Sequence, residues 1–527
     1  MDATITLPDD PASAWAAPTE EPLVSPRVRG MLAQIFDVDS TSATVVEVPP
    51  PGPSRLGERE RTALGEAVGE ANVRLDGAAR AAHANGMSYL DLVRRGRGAI
   101  PAPDAIVLPA DEDEVAAVLA ICAEHGVAVV PFGGGTSVVG GVAPERGAFA
   151  AVVALDLARF DRLVALDEVS RTATLQAGLT GPRAEELLAE RGFTLGHVPQ
   201  SFERATIGGY AATRSAGSLS TGWGRFDELV EHVRAVTPAG TLDLGRAPGT
   251  AAGPDLRQLV LGSEGAFGVI TEVTVRVRPL PELRRHEGWR VASFAEGTAL
   301  LRRLAQDGPL PDMARLADEA GTAIGIASAG EEPGDGCLLL VGWEGGRVDV
   351  EHRAALTGDL LRAAGAEELG EGAAASWQSG RFRAPRLRDE LLPSGMLAET
   401  LETATTWSNA ATVHAAVGEA IRGALDGARP LVTCHISHLY AAGCSLYFSV
   451  LARADEADPA GQWLRAKHAA NDALVAGGAT ITHHHAVGAD HAGWMEREVG
   501  DAGVALLRAV KAHLDPAGIL NPGKLIP

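Results

Sequence analysis

Lysine is almost missing from this chain. Of its 46 basic residues only Lys467, Lys511 and Lys524 are lysines, and 68 acidic residues outweigh them all, for a formal charge of −22. A nucleic-acid binder or a basic membrane-surface protein needs a cationic face, so neither is expected. The four cysteines, Cys122, Cys337, Cys434 and Cys444, show no CxxC or zinc-finger spacing. That argues against a disulfide framework and for a reducing compartment. The start, MDATITLPDDPASAW, has no apolar core of a secretory signal, and no apolar run is long enough to span a bilayer. The chain ends KLIP, unlike a peroxisomal SKL. Cytoplasm is the expected location. Aromatics are only 4% of residues but hydrophobics reach 46%, enough for an ordinary aliphatic core over about three or four structural units. There is no internal repeat.

What is present has an α/β rhythm. Residues 1–25 are rich in proline and acids and read as loose. Residues 28–38 suit a short helix, 45–55 an extended proline-rich stretch, and 58–97 carry helical spacing. AIVLPADEDEVAAVLAICAEHGVAVVP then reads strand, helix, strand, with acids in the helix's first turn and Gly126 at its end. AVVALDLARF, TATLQAG and GVITEVTVRVRPLPE read as strands, and GPRAEELLAERGF as a helix. Near residue 283 the character changes to strands alternating with Ala-rich helices. The expected division is 1–96, an N-terminal helical region; 97–282, the first α/β domain; 283–475, a second domain; and 476–527, a C-terminal segment with a histidine run and a helix near 491–513.

Residues 131–141 read PFGGGTSVVGG. Glycine there lets backbone N–H groups approach an anion, with hydroxyls from Thr136 and Ser137. It is neither a dinucleotide fingerprint, since no helix pattern follows, nor a Walker loop, since GK[ST] is missing. Two further stretches, PQSFERATIGGYAATRSAG (199–217) and GSEGAFGVI (262–270), repeat the glycine and hydroxyl character. Three such loops in one α/β region suggest one long polyphosphate-bearing ligand held mostly by backbone.

The three loops resemble the flavin-binding loops of the vanillyl-alcohol-oxidase (PCMH-type) FAD proteins, and within that group the chain is most similar to the alkyldihydroxyacetonephosphate synthases. The resemblance runs from about residue 28 to the C-terminus. It implies an α+β fold with α/β-type lobes: a two-lobed FAD domain, a cap domain, and a C-terminal segment returning to the flavin. It implies that Pro131, Phe132, Gly133, Gly134, Gly135, Thr136 and Ser137 wrap the FAD pyrophosphate. Gln200, Ser201, Phe202, Glu203, Arg204, Ala205 and Thr206 would continue the site, with Thr213, Arg214, Ser215 and Ala216. Glu264, Gly265, Ala266, Phe267, Gly268, Val269 and Ile270 would complete it. Gln200 departs from the family's usual Asp. The first glycine loop has no histidine where covalently flavinylated relatives carry theirs, so dissociable FAD is expected.

ITHHHAVG (481–488) concentrates the remaining chemistry. Acid–base work near neutral pH, a paired metal ligand set and a packed structural cluster are its three readings. No acidic or cysteine partner lies close in sequence, and no metal is assigned. The resemblance points to His484 and His485 as nearest the substrate. It also places His197 of LGHVPQS beside the flavin, Arg388 of LRDELLPSGMLAETLETATTW over it to hold an anion, and Tyr447 of CHISHLYAAGCSLYFSV as the active tyrosine. His435 stands where the synthases tend to have arginine. By itself Arg388 would read as a solvated ion-pair member and Tyr447 as core.

The resemblance implies exchange of the acyl group of acyl-dihydroxyacetone phosphate for a long-chain alcohol, by covalent catalysis on the flavin without net redox change. The implied partners are a lipid-like phosphate and a long-chain alcohol. Peripheral membrane contact and a homodimer stay open. The rival enzyme reading is an FAD-dependent 2-hydroxy-acid dehydrogenase of D-lactate or glycolate type. Those commonly carry a GHxGDGN-like stretch, which this chain lacks. A flavin-binding protein without catalysis is the third reading.

Overall fold

A computed structural model describes residues 26–38, 50–95, 101–328, 335–382, 388 and 390–527. The loose reading of 1–25 and the first part of the extended stretch, 45–49, lie outside the described residues; 50–55 form no helix or strand. The short helix is found, at Pro26–Phe36. The helical spacing of 58–97 resolves instead into separate helices at Glu58–Val68, Gly77–Ala82 and Tyr89–Arg95, with a short strand at Val73–Arg74. Gly69, at φ +88°, turns the chain out of the first helix, and the strand pairs with Ile106–Val107.

Three main sheets organise the molecule. The first has the order Val73–Arg74, Ala105–Val107, Ala151–Asp156, Val127–Phe132. Its last three strands are parallel. The helix Glu112–His125 covers it. Asp111 caps that helix through Glu114 N, Gly126 closes it in the left-handed conformation, and Val115, Val118, Leu119 and Cys122 are its buried stripe. Each such fully buried aliphatic contributes about 1.5–3 kcal/mol. The second sheet is antiparallel, ordered Leu163–Asp167, Thr172–Gln176, Val269–Arg276, Val230–Thr237, Gly240–Leu244.

The third sheet begins at Leu283. It is antiparallel with seven strands: Glu367–Gly370, Leu283–Val291, Cys337–Gly345, Met313–Ala317, Leu431–Ile436, Gly443–Arg453 and Met396–Thr406. Leu446, Phe448 and Val450 pack with Val413, Val417 and Ile421 of the helix Ala410–Ala424, and with Trp463 of the helix Pro459–Ala476. The alternation of the strand then turns Tyr447, Ser449 and Leu451 to the other face.

The C-terminal segment returns to the first sheet. Val129 N donates to Ile519 O and Asn521 N to Val129 O. The Asn521 side-chain amide donates to Gly141 O and Glu264 O, tying the ends of two glycine loops. Among the described residues no helix is long and apolar enough to cross a membrane.

Candidate active site

The three glycine-rich stretches meet on one cavity of about 930 Å3. The first follows the parallel strand Val127–Phe132. A Cβ on Gly133 would lie 2.3 Å from Thr206 Oγ1, and one on Gly134 would lie 2.0 Å from Arg204 O. Only glycine lets these two loops meet backbone to backbone. The second stretch contains a helix, Ile207–Thr213, capped by Thr206 through Gly209 N. Sequence reading missed that helix: its residues are small and buried on most sides, so no apolar period marks it. Residues 131–137, Gln200, Ser201, Ala205, Thr206, Thr213, Ser215, Ala216, Glu264, Gly265, Gly268 and Ile270 line the cavity. Phe202, Glu203, Arg204, Arg214, Ala266, Phe267 and Val269 lie off its wall. Phe202 stacks on Phe382, and Arg214 donates to Leu261 O and Gln258 O. Gln200 does not present a charge; its amide donates to Arg381 O. Narrow glycine backbone, a capped helix start and hydroxyls fit a pyrophosphate-bearing ligand.

Glu264 couples these loops to the histidine run. Its carboxylate accepts Val487 N at 2.9 Å and Gly488 N at 2.8 Å. Burial pushes its pKa up to about 7, against the pull of those two N–H groups.

The histidines gather around a second carboxylate, Glu402, which sequence reading did not single out. Thr482 Oγ1 donates to it at 2.7 Å, and the N–H groups of His483, His484 and His485 donate at 2.7, 3.2 and 3.0 Å. Those four donors hold Glu402 ionised although it is buried. Its oxygens also lie 3.5 Å from His484 Nδ1 and 3.8 Å from His485 Nδ1. Burial pushes His485 and His438 down to about 3 and His484 downward too, so the imidazoles are neutral bases at neutral pH. His438, His483 and His484 bring ring nitrogens within 4.8 Å of one another. As a metal set the trio is poor, because both nitrogens of His483 are engaged, by His484 Nδ1 and Tyr440 Oη. Hydrogen bonding accounts for His483, and His438 packs its ring against His483 and His484.

His484, His485, Tyr447 and Arg388 all reach the cavity. Tyr447 donates to Thr400 Oγ1 at 3.0 Å, and burial pushes its pKa up to about 12, so it remains a phenol. Arg388 pairs with Glu399 at 3.3 Å in a buried setting. His197 sits behind the wall, with Nε2 3.1 Å from Ser215 Oγ and its ring between Tyr210 and Phe226. His435 stacks on Tyr447 with centroids 4.8 Å apart. The nearby guanidinium comes instead from Arg315, on the adjoining strand Met313–Ala317. Burial pushes the Arg315 pKa down to about 10, still charged at neutral pH. A lone arginine in the otherwise apolar MARLA strand was the available signal.

Register sets the cavity's polarity. Glu402 pairs with Tyr447 and Tyr447 with His435; two residues along, Thr400, Ser449 and Thr433 align; two further, Ala398, Leu451 and Leu431 align. The face thus passes from ionisable to hydroxyl to apolar over about 14 Å. Met31, Leu32 and Ile35 of the first helix, with Ile324 and Leu391, extend its apolar end.

Residues 103–244 match the FAD binding domain family, and residues 280–525 match the C-terminal domain of FAD linked oxidases. Alkyldihydroxyacetonephosphate synthase of Trypanosoma brucei brucei is 34% identical over 88% of this chain and 80% of its own length. The chain belongs to the alkyldihydroxyacetonephosphate synthase family. The Dictyostelium discoideum synthase is 32% identical over 86% of this chain and 78% of its own. A solved synthase structure superposes with a TM-score of 0.78 at 28% identity, covering 94% of this chain and 92% of that one. The expected α+β, PCMH-type fold and FAD as cofactor agree with these matches.

Proposed function

We propose that the chain is a flavoenzyme that exchanges the acyl group of acyl-dihydroxyacetone phosphate for a long-chain alcohol, forming an ether lipid precursor. The observation that carries this reading is the graded sheet face, which puts His484, His485, Tyr447 and Arg315 at one end of a cavity and aliphatic side chains at the other. A substrate that suits it has an anionic head and a long apolar chain. The synthase names of the relatives support the same substrates. The cytoplasm, with membrane contact at the apolar end, is where such a protein is expected to work.

Arg315 and Arg388 hold the anionic head, since guanidinium groups suit phosphate oxygens. The apolar arm takes the chain and excludes water from the head. His484 and His485, neutral and facing the cavity, accept the proton of the incoming alcohol. Tyr447, kept protonated and oriented by Thr400, supplies a hydrogen bond or proton on the opposite side of the substrate. FAD, held by the three loops, supplies the reactive centre for the exchange with no net oxidation.

The hydroxy-acid rival is tested without the lipid. Under anaerobic conditions D-lactate or glycolate should leave the flavin absorbance of the holoenzyme unchanged. Bleaching of the flavin by either acid would replace the exchange reading with a dehydrogenase.

A further inference from the structure

Exchange of an ester's acyl group for an alcohol leaves one proton over. The alcohol O–H bond breaks, a C–O ether bond forms, the ester's alkyl C–O bond breaks, and the acid leaves as its carboxylate. No electrons change hands, and at neutral pH nothing in the products retains the proton. It starts on a base inside a cavity whose far end is apolar, so its way out needs a structural answer. This inference rests on the proposed exchange.

A chain of hydrogen bonds leads away from the cavity on the side opposite the apolar arm. His484 lines the cavity, and its Nδ1 lies 2.9 Å from Nδ1 of His483. His483 is 6% exposed and does not line the cavity. Its Nε2 lies 2.5 Å from Tyr440 Oη. Tyr440 is partly exposed and sits in the field of Arg225, Asp227 and the exposed Glu228. We propose that His484, His483 and Tyr440 form a proton path from the alcohol-binding end of the cavity to the surface.

The chemistry of the three groups suits a relay. A neutral imidazole accepts on one nitrogen while it donates from the other, and a phenol both donates and accepts. His484 passes its proton from Nδ1 to Nδ1 of His483, His483 releases the one on Nε2 to Tyr440, and Tyr440 releases its own to water. Each bond along the path is re-formed behind the moving charge, and ring tautomers reset it.

The surroundings favour that traffic. A proton on either imidazole faces Glu402, 3.5 Å from His484 Nδ1 and 3.9 Å from His483 Nδ1. Glu402 does not take the proton itself, because Thr482 and three successive N–H groups already donate to it. The other groups facing the path are His438, stacked on His483 at 5.0 Å, Tyr447, stacked on His484 at 6.1 Å, His485 at 4.7 Å, His197 and Arg225. Arg225 also donates to His483 O at 3.0 Å, which fixes the middle of the relay, and is itself paired with Asp227.

The test has one arm that needs no substrate. In holoenzyme carrying 15N-histidine, the ring proton shared by His483 and His484 gives a downfield NMR signal whose exchange with solvent can be timed. Tyr440→Phe, which removes the outer hydroxyl, should slow that exchange about tenfold or more; an unchanged rate overturns the path whatever the substrate. The second arm measures ether formation. Tyr440→Phe and His483→Gln should each lower kcat about tenfold or more, leave KM and FAD content near wild type, raise the solvent deuterium isotope effect, and recover in part when imidazole is added as an external proton carrier. A kcat within about twofold of wild type in both variants, with no response to imidazole, overturns the path. A wild-type enzyme that forms no ether but passes the NMR arm overturns the exchange reading and leaves the path standing.

Discussion

Tyr447 and Arg315 carry separate burdens. Tyr447 keeps its proton because burial holds the phenol up at about 12, so Tyr447→Phe should abolish turnover with FAD still bound. Full activity in that variant removes the hydroxyl from the mechanism. Arg315 meets the anionic head, and a hydrogen bond to a charged group is worth about 1.5–3 kcal/mol. Arg315→Ala should therefore raise KM for the phosphate-bearing substrate about 10- to 150-fold. The comparison is with a neutral long-chain alcohol as the varied substrate, whose KM should barely move. Glycine loops and the histidine run stood out because each is an unusual residue type in an unusual pattern, whereas Tyr447 by itself read as core and was singled out only by the resemblance. Glu402 did not stand out. In the sequence it is one acid of 68; only the fold brings four donors onto it.

Between residue and molecule, the strands and loops decide whether the site exists at all. The first glycine loop touches the second through bare backbone, so Gly134→Ala must push a methyl into Arg204 O, 2.0 Å from the ideal position. The two loops then separate, and the purified variant should lose FAD, read as the ratio of flavin to protein absorbance. Strands such as Val127–Phe132 and Ala151–Asp156 were readable as short apolar runs between turn signals. The helix Ile207–Thr213 was not, because small residues buried on most sides carry no stripe. The spacing across 58–97 suggested more helix than forms, since Gly69 turns the chain out of the first helix into the short strand and Asp76 caps a new helix after it. Register was beyond the sequence altogether: the pairing of Glu402 with Tyr447 and Tyr447 with His435 makes three unremarkable strands into one graded face.

Taken whole, the protein encloses many neutral imidazoles, and this has a consequence for its pH response. Burial pushes His197, His438, His485 and His491 from the ordinary 6.5 to about 3. Each has a lower pKa folded than unfolded, so its contribution is complete above about 6.5 and is lost as the pH falls toward 3. Glu264 has the opposite sign: raised from 4.5 to about 7, it favours the folded state below 4.5 and loses that contribution as the pH rises through 7. Four groups against one predict that Tm falls between pH 7 and pH 5. A Tm that is flat or higher at pH 5 in scanning calorimetry contradicts the neutral state of the cluster.

The central claim is an exchange without net redox, carried out at the ionisable end of a cavity with an apolar arm. The direct measurement is mass spectrometric: FAD-replete protein, held anaerobic with no electron acceptor, receives acyl-dihydroxyacetone phosphate and an isotopically labelled long-chain alcohol. The account predicts a labelled ether with free fatty acid in equal amount. No ether across a series of chain lengths, from protein that retains its FAD, would contradict it.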